Sequence, residues 1–547
     1  MAAETYSKAT NNFGVAVVTT GPGGTNAVTG VAGAWLDSTP CMFISGQVKR
    51  ADIVGSLGVR QHGVQEINIV PIVQSITKYA VTILDPLSIR YHLEKAVYLA
   101  KSGRPGPVWI DIPLDVQGSI VDADALVGFD SADAAQPSEA AYIESKVAQV
   151  IEMINSSERP ILLAGNGIRL AGGQEHFLQL ADRLGIPVLT TWLAIDFMPD
   201  SHKFFAGRPG SVAPRGANFA LQNADLLLSI GARLDLVVTG YDQEKFARGA
   251  RKIMVDIDRA EIEKMKMHID VPICGDAKVF IESLLQQNAK IKEKDRSAWI
   301  SRCREWKKKY PVVLPEHREL RGRVSVYYLS EILSEELKGD DVIVSGSSGA
   351  GIEVFLLAYK VKEGQRIFHT TALGAMGNGL PSAIGACLAA GRRRTVSVDG
   401  DGGFQLNVQE LETVARLDLP IKFFVLNNAG FASIRSSQMR YFGRLVCADA
   451  SSGLTLPDIK KVASAYGLKT AHIADQTALR LQIREILDSP GPVVCEVMTR
   501  VDEMRAPSLS SVRRADGSMV SKPLEDLWPF LDRDEFFSNM IVPPVHE

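Results

Sequence analysis

No apolar run in the 547-residue chain reaches 18 residues, about the length that a membrane-crossing helix needs. The start of the chain lacks the apolar core of a signal peptide. Six cysteines (Cys41, Cys274, Cys303, Cys387, Cys447 and Cys495) are scattered, with no CxxC pair and no metal-ligand spacing. They read as buried thiols in a reducing compartment rather than as disulfides or zinc ligands. A formal charge of −3 gives no electrostatic case for nucleic acid, and no short internal repeat is evident. What these absences leave is a cytoplasmic globular chain, long enough for roughly three or four domains of 100 to 200 residues each.

The most informative stretch is Gly400-Asp401-Gly402, followed after 24 residues by Asn427-Asn428. Arg394 to Asp399 reads as a buried strand, Asn407 to Leu417 repeats apolar residues at helical spacing, and Ile421 to Leu426 is a second apolar run. Both polar clusters therefore fall at carboxyl ends of parallel strands, the edge where open α/β sheets bind ligands. Asp401, Asn428 and the carbonyl of Gly430 are hard oxygen donors, which with two diphosphate oxygens and a water complete an octahedral Mg²⁺ shell. Gly400 and Gly402 let the backbone approach the diphosphate closely.

In chain order, Gly14 to Thr20 reads as a strand, Thr19 to Asn26 as a glycine-rich turn, and Ala27 to Leu36 as a helix. Cys41 to Ser45 and Val108 to Pro113 are further strands, so a doubly wound parallel sheet is expected. Gly58 to Glu66 reads as a polar loop. Residues 121–139 are small and acidic, as suits a linker. A middle unit, 140–290, carries strands at Pro160 to Ala164, Pro187 to Thr191, Leu226 to Ile230 and Arg251 to Asp256. Lys290 to Lys309 is highly charged and reads as a solvated helix face within a linker, 291–323. The last unit, 324–547, opens with the strand Val342 to Gly346 and contains Leu373 to Pro381 before the helix Ser382 to Ala390. Its tail from Arg505, with Arg513-Arg514, Gly517 and Pro523 to Phe530, is a lid or a packing extension.

The Gly-Asp-Gly and Asn-Asn pair resembles the signature of thiamine diphosphate enzymes, and nearly the whole chain resembles the acetohydroxyacid (acetolactate) synthase catalytic subunit. The resemblance implies three doubly wound α/β domains: pyrimidine-binding (1–120), central, and diphosphate-binding. It implies Gln65 reaching cofactor and substrate, Gly346 offering backbone amides to phosphates, the Gly374 carbonyl accepting from the aminopyrimidine, and Met376 wedging the cofactor into a bent shape. It also implies FAD on Arg104, Arg233, Asp235 and Asp258, with close backbone approaches at Gly165 and Gly167. Here Val237 stands in place of a family arginine and Gly207 to Gly210 departs from the family stretch.

The implied reaction is decarboxylation of pyruvate or a similar 2-oxo acid and transfer of the two-carbon unit to a second carbonyl, by a homodimer or tetramer; a regulatory subunit is left undecided. Ser437 stands where the synthases of branched-chain amino-acid biosynthesis carry tryptophan. That opens transfer to a keto-sugar nucleotide, with Arg435 meeting an acceptor phosphate or carboxylate. Simple decarboxylation and a non-catalytic cofactor-binding role are the other readings. The family's activating glutamate aligns before Met1, and Glu4 is no substitute for it, so the first domain is expected to be incomplete at its N-terminus.

Overall fold

The computed structural model describes residues 1–134, 140–346, 349–513 and 519–545. The end of the expected linker, 135–139, and Arg514 and Gly517 of the tail lie outside the described residues.

Three parallel sheets make three α/β domains. The first holds β1 (Gly14–Val18), β2 (Cys41–Gln47), β3 (Tyr79–Thr82) and β4 (Val108–Pro113) in the order β1-β2-β4-β3. The second holds β5 (Pro160–Ala164), β6 (Val188–Thr190), β7 (Phe205–Gly207), β8 (Leu226–Ile230), β9 (Arg251–Asp256) and β10 (Val271–Cys274), ordered β10-β9-β8-β5-β6-β7. The third holds β11 (Val342–Ser345), β12 (Arg366–Phe368), β13 (Thr395–Gly400), β14 (Ile421–Asn427), β15 (Lys469–Ile473) and β16 (Val493–Met498), ordered β12-β11-β13-β14-β16-β15. The central apolar runs of the second and third sheets are buried on both faces, as all five residues of β5 are, because helices cover both sides of a parallel sheet, whereas the edge strand β1 leaves Val15 and Val17 exposed. The first sheet repeats the order of the last four strands of the third.

Strand order reverses between β5 and β8 and between β11 and β13. A doubly wound sheet opens a crevice at such points, and both stretches singled out for ligand binding lead into one.

Some elements differ from expectation. The first long helix starts at Pro22, not Ala27, because proline suits the first helical position, where no N–H is needed. The expected helix from Asn407 to Leu417 is broken: Asn407 has φ −133° and ψ 37° inside a 3₁₀ stretch, and a regular helix runs only over Leu411–Arg416. The charged stretch is only half solvated. Its helix, Ser297–Lys309, buries Trp299, Cys303 and Trp306, and Trp299 Nε1 donates to the Pro160 carbonyl at 3.0 Å. Burying two indoles is the larger gain; Lys308 and Lys309 stay exposed, while Lys307 is half-buried and donates to the Asp200 and Phe205 carbonyls.

The tail packs against the second domain. Asn218 Nδ2 donates to the Leu524 carbonyl, Gln222 Nε2 to Glu525 and Trp306 Nε1 to Asn539. The helix Ala2–Thr10 lies on the helix Gly379–Ala389, where Thr5 Oγ1 donates to Ser382 Oγ at 2.9 Å and a Cβ on Gly385 would sit 2.1 Å from the Ala2 carbonyl.

Candidate functional site

Gly346 follows β11 and Asp401 follows β13, on the two sides of the third sheet's switch point. Asp401 opens a one-turn helix, Asp401–Phe404, and is 3% exposed. Its Oδ1 accepts from Gly402 N at 2.8 Å, and its Oδ2 from Asn428 N at 3.1 Å and Gly430 N at 3.2 Å. One carboxylate thus joins both polar clusters. Ala429 and Gly430 have φ of 61° and 146°, left-handed values that wrap the turn around it. Asn428 Oδ1 is buried with no hydrogen-bond partner, a costly state for an amide oxygen unless a ligand completes it. Burial pushes the Asp401 carboxyl up to about 6 against the backbone donors that lower it, and a bound cation would favour its ionised form.

Asp399 lies behind it, fully buried and pushed by burial up to about 7, with Asp401 adding to the rise. A Cβ on Gly346 would fall 2.0 Å from Asp399 Oδ1, and one on Gly379 2.3 Å from Oδ2. Glycine at 346 and 379 is therefore needed to seat Asp399. The donor set of carboxylate, amide oxygen and carbonyl fits a hard divalent cation that keeps other positions for phosphate and water. Among the described residues no group of three or more His, Cys, Asp or Glu offers a rival metal cage.

The stretch Leu373–Gly377 closes the site from above. Gly374 and Gly377 have φ of 64° and 86°, Gly374 N donates to the Thr370 carbonyl at 2.8 Å, and Asn407 Nδ2 donates to the Gly377 carbonyl at 2.8 Å. The helix break at Asn407 is what places this donor. Met376 is 38% exposed, and its Cε lies 3.4 Å from the position of a Cβ on Gly402. An exposed methionine between two left-handed glycines is a ledge of the site, not core. Asn407 and Phe431, the ring beside Gly402, have no signal in the local pattern. Their partners lie 30 and 29 positions away.

Gln65 belongs to a different cluster. It is exposed, with φ 61°, and its carbonyl lies 2.2 Å from where a Cβ on Gly21 would be. Glycine at 21 lets the loop close over the first domain's turn. Glu66 ties that loop down by accepting from His62 N and Gly63 N.

Arg435 is anchored on backbone carbonyls. Its Nη2 donates to the Asn428 carbonyl at 3.2 Å and the Val501 carbonyl at 2.6 Å, and its Nη1 is 3.8 Å from Asp449. The guanidinium expected from the sequence to meet an acceptor phosphate or carboxylate is thus engaged by two backbone carbonyls through Nη2, while its Nη1 is buried with no hydrogen-bond partner. Ser437 is exposed on the helix Ala432–Phe442.

At the second sheet's switch point lies a cavity of about 580 Å³. Arg104 Nη1 pairs with Asp258 at 2.8 Å and Glu261 at 2.7 Å. Arg233 pairs with Asp235 at 2.9 Å and donates to the Leu36 carbonyl. Cβ atoms on Gly165 and Gly167 would fall 2.1 and 2.8 Å from the backbone of Gly231, so these glycines serve backbone packing between the two turns. The volume suits a cofactor. The charge does not suit a diphosphate as it stands: Asp37, Asp235, Asp256, Glu261 and Asp276 line the cavity against Lys101, Arg104 and Arg233.

Comparison with known proteins agrees with this layout. The thiamine pyrophosphate enzyme N-terminal TPP binding domain matches residues 1–72, the central domain 147–284, and the C-terminal TPP binding domain 349–497. The acetolactate synthase large subunit of Cyanidium caldarium is 33% identical over 517 residues, covering 93% of this chain and 86% of that protein. The probable acetolactate synthase large subunit of Methanocaldococcus jannaschii is 32% identical, covering 91% and 83%, and the chloroplastic acetolactate synthase of Arabidopsis thaliana 33%, covering 93% and 75%. With the Asp401 and Asn428 turns at the switch point where such a cofactor docks, the chain belongs to the thiamine pyrophosphate enzymes, as an acetolactate synthase-like member.

Proposed function

We propose that the chain is a Mg²⁺-dependent carboligase, which decarboxylates pyruvate or a similar 2-oxo acid and adds the two-carbon unit to a second carbonyl. The observation that carries this reading is the orphaned Asn428 Oδ1 beside the buried Asp401 carboxylate. Asp401, Asn428 and the Gly430 carbonyl hold the cation. Backbone at Gly346, Gly400 and Gly402 receives the diphosphate, the Gly374 carbonyl meets the aminopyrimidine, and Met376 supports the ring from its ledge. Bound thiamine diphosphate supplies an electron sink for the pair released when CO₂ leaves a 2-oxo acid. Holding the reactants in one orientation is then the protein's main contribution, since well-placed groups reach effective molarities on the order of 10⁵ M. Gln65 approaches the substrate from the first domain, in a homo-oligomer of two or four chains.

Similarity to acetolactate synthases supports acetolactate as the product. Ser437, and the Arg435 Nη1 left buried without a hydrogen-bond partner, keep transfer to a keto-sugar nucleotide as the second reading. FAD is proposed for the central cavity as a structural occupant, on its volume alone; it requires Arg104 and Arg233 to exchange carboxylate partners for phosphate, and no step runs through it. Two relatives are named large subunits, which supports a companion subunit here. No helix among the described residues is long and apolar enough to cross a membrane, and a cytoplasmic location is proposed.

The test is incubation with pyruvate, Mg²⁺ and thiamine diphosphate, following CO₂ and products with and without 2-oxobutyrate. Acetolactate is expected. Cofactor binding without CO₂ release would favour a non-catalytic binding protein, a reading that gains weight from Glu4, which is buried and paired with Lys8 at 2.7 Å. A flavin absorption spectrum in the purified protein decides the FAD proposal.

A further inference from the structure

Two buried carboxylates that the proposed chemistry leaves unused, Asp111 and Glu496, hold equivalent places in the first and third sheets. Along β2 and β4 the register runs from Met42 opposite Val108 to Gln47 opposite Pro113. Along β14 and β16 it runs from Lys422 opposite Val493 to Asn427 opposite Met498. Each pair therefore puts an amide at its last step and a carboxylate two steps earlier on the partner strand.

The contacts repeat as well. Gln47 Nε2 donates to Asp111 Oδ2 at 3.1 Å, and Asn427 Nδ2 donates to Glu496 Oε1 at 2.8 Å. On the other neighbouring strand Thr82 lies opposite Asp111 and donates to its Oδ2 at 3.1 Å. His472 lies opposite Glu496, with Nδ1 3.1 Å from Oε2, and Lys460 is 3.5 Å from the same oxygen. The two domains thus carry one brace in two copies: a strand carboxylate held from one side that fixes an amide on the other.

What the amide then does differs between the copies. Gln47 Oε1 accepts from Thr20 Oγ1 and Val48 N, within the first domain's own turn. Asn427 Oδ1 accepts from Ala429 N at 2.9 Å, inside the turn that carries Asn428 and Gly430. With its NH₂ donated to Glu496, the Asn427 amide turns its oxygen to Ala429 N. Ala429 is a non-glycine residue at φ 61°, a conformation that persists only where surrounding bonds over-determine it. Releasing the amide lets that bond go and leaves the turn free to relax.

We propose that Glu496 is a positioning residue for the cation-binding turn, acting through the Asn427 amide, and that Asp111 is its twin in a domain where the same brace serves no cation. The inference rests on the cation reading of Asp401 and Asn428. Outer residues that orient metal ligands typically contribute 10- to 100-fold in metal affinity.

The test measures thiamine diphosphate binding to the full chain by calorimetry across a Mg²⁺ series. Glu496→Met removes the acceptor and is expected to raise the Mg²⁺ concentration for half-maximal binding by about 10- to 100-fold. Glu496→Gln keeps an acceptor for Asn427 and is expected to return most of the way to wild type. Asp111→Leu is expected to lower the unfolding midpoint and leave the Mg²⁺ dependence unchanged; if it does not fold, Asp111→Asn takes its place. Wild-type Mg²⁺ dependence in Glu496→Met overturns the proposal. So does an equal shift in the Asp111 variant, which would make the effect one of general stability. Wild-type protein that binds no cofactor at any Mg²⁺ concentration overturns the cation reading itself, a result visible before any variant is made.

Discussion

The ring of Phe431 fills the space that a side chain at Gly402 would need: a Cβ built there would lie 2.2 Å from the ring's Cε1. The glycine is thus dictated by a residue in the other loop, apart from the diphosphate contact proposed for it. Gly402→Ala forces Phe431 off its rotamer, and overpacking of this kind costs typically 1–3 kcal/mol. Thiamine diphosphate affinity, read by calorimetry, is expected to fall at least tenfold, about 1.4 kcal/mol. Adding Phe431→Leu should recover part of it.

Arg435 braces the turn proposed to hold the cation, so its loss should read as weaker cofactor binding. Arg435→Ala leaves the Asn428 and Val501 carbonyls without this donor, a net loss of about 0.5–1.5 kcal/mol for each hydrogen bond. The Mg²⁺ requirement for cofactor binding is expected to rise while the KM for the acceptor, measured at saturating cofactor, stays near wild type. A change confined to acceptor KM would return Arg435 to the substrate.

Asp196 joins the second and third domains. Its carboxylate is buried and accepts from Arg169 at 2.8 Å, Arg366 Nε at 2.9 Å and Ile367 N at 3.1 Å, while Arg366 also donates to the Lys8 and Ala9 carbonyls. Asp196→Asn leaves two guanidinium groups sharing one neutral acceptor. Removing one member of a buried ion pair costs about 3–5 kcal/mol, so denaturant unfolding should show a loss of that order.

Asp256 makes stability depend on pH. Burial pushes its carboxyl up to about 6, whereas an unfolded-chain aspartate titrates near 3.9, about two pH units lower. Between about pH 4 and 6 the folded state binds the extra proton, so this group's contribution to stability falls as pH rises through that window and is level above it. Asp256→Asn keeps an oxygen for the Asp258 N–H and never ionises. Thermal unfolding should show the variant more stable than wild type above pH 6 by on the order of 1–2 kcal/mol, with the gap closing near pH 4.

Much of the site was legible because its signals are local. An apolar run ending in Gly-Asp-Gly, a second ending in Asn-Asn, and a methionine between glycines mark strand ends and turns within a few residues of themselves. The misreadings all turn on partners distant in the chain. The pattern from Asn407 to Leu417 is helical taken alone, whereas Asn407 leaves helical φ/ψ and its amide bonds Gly377, 30 residues away. The lysines between 290 and 309 advertise solvent, while Trp299 and Trp306 answer to Pro160 and Asn539.

The sequence by itself determined the three parallel sheets, the strand ends that carry the polar turns, and the oxygen-donor chemistry of Asp401 and Asn428, since periodicity and donor type reside in neighbouring residues. Tertiary structure alone decided that Asp401 spans both loops, that Asn428 Oδ1 is left without a partner, that the tail docks on the second domain, and that Gln47 with Asp111 mirrors Asn427 with Glu496. The members of those two amide–carboxylate pairs stand 64 and 69 residues apart, and only the strand register brings them within hydrogen-bond reach.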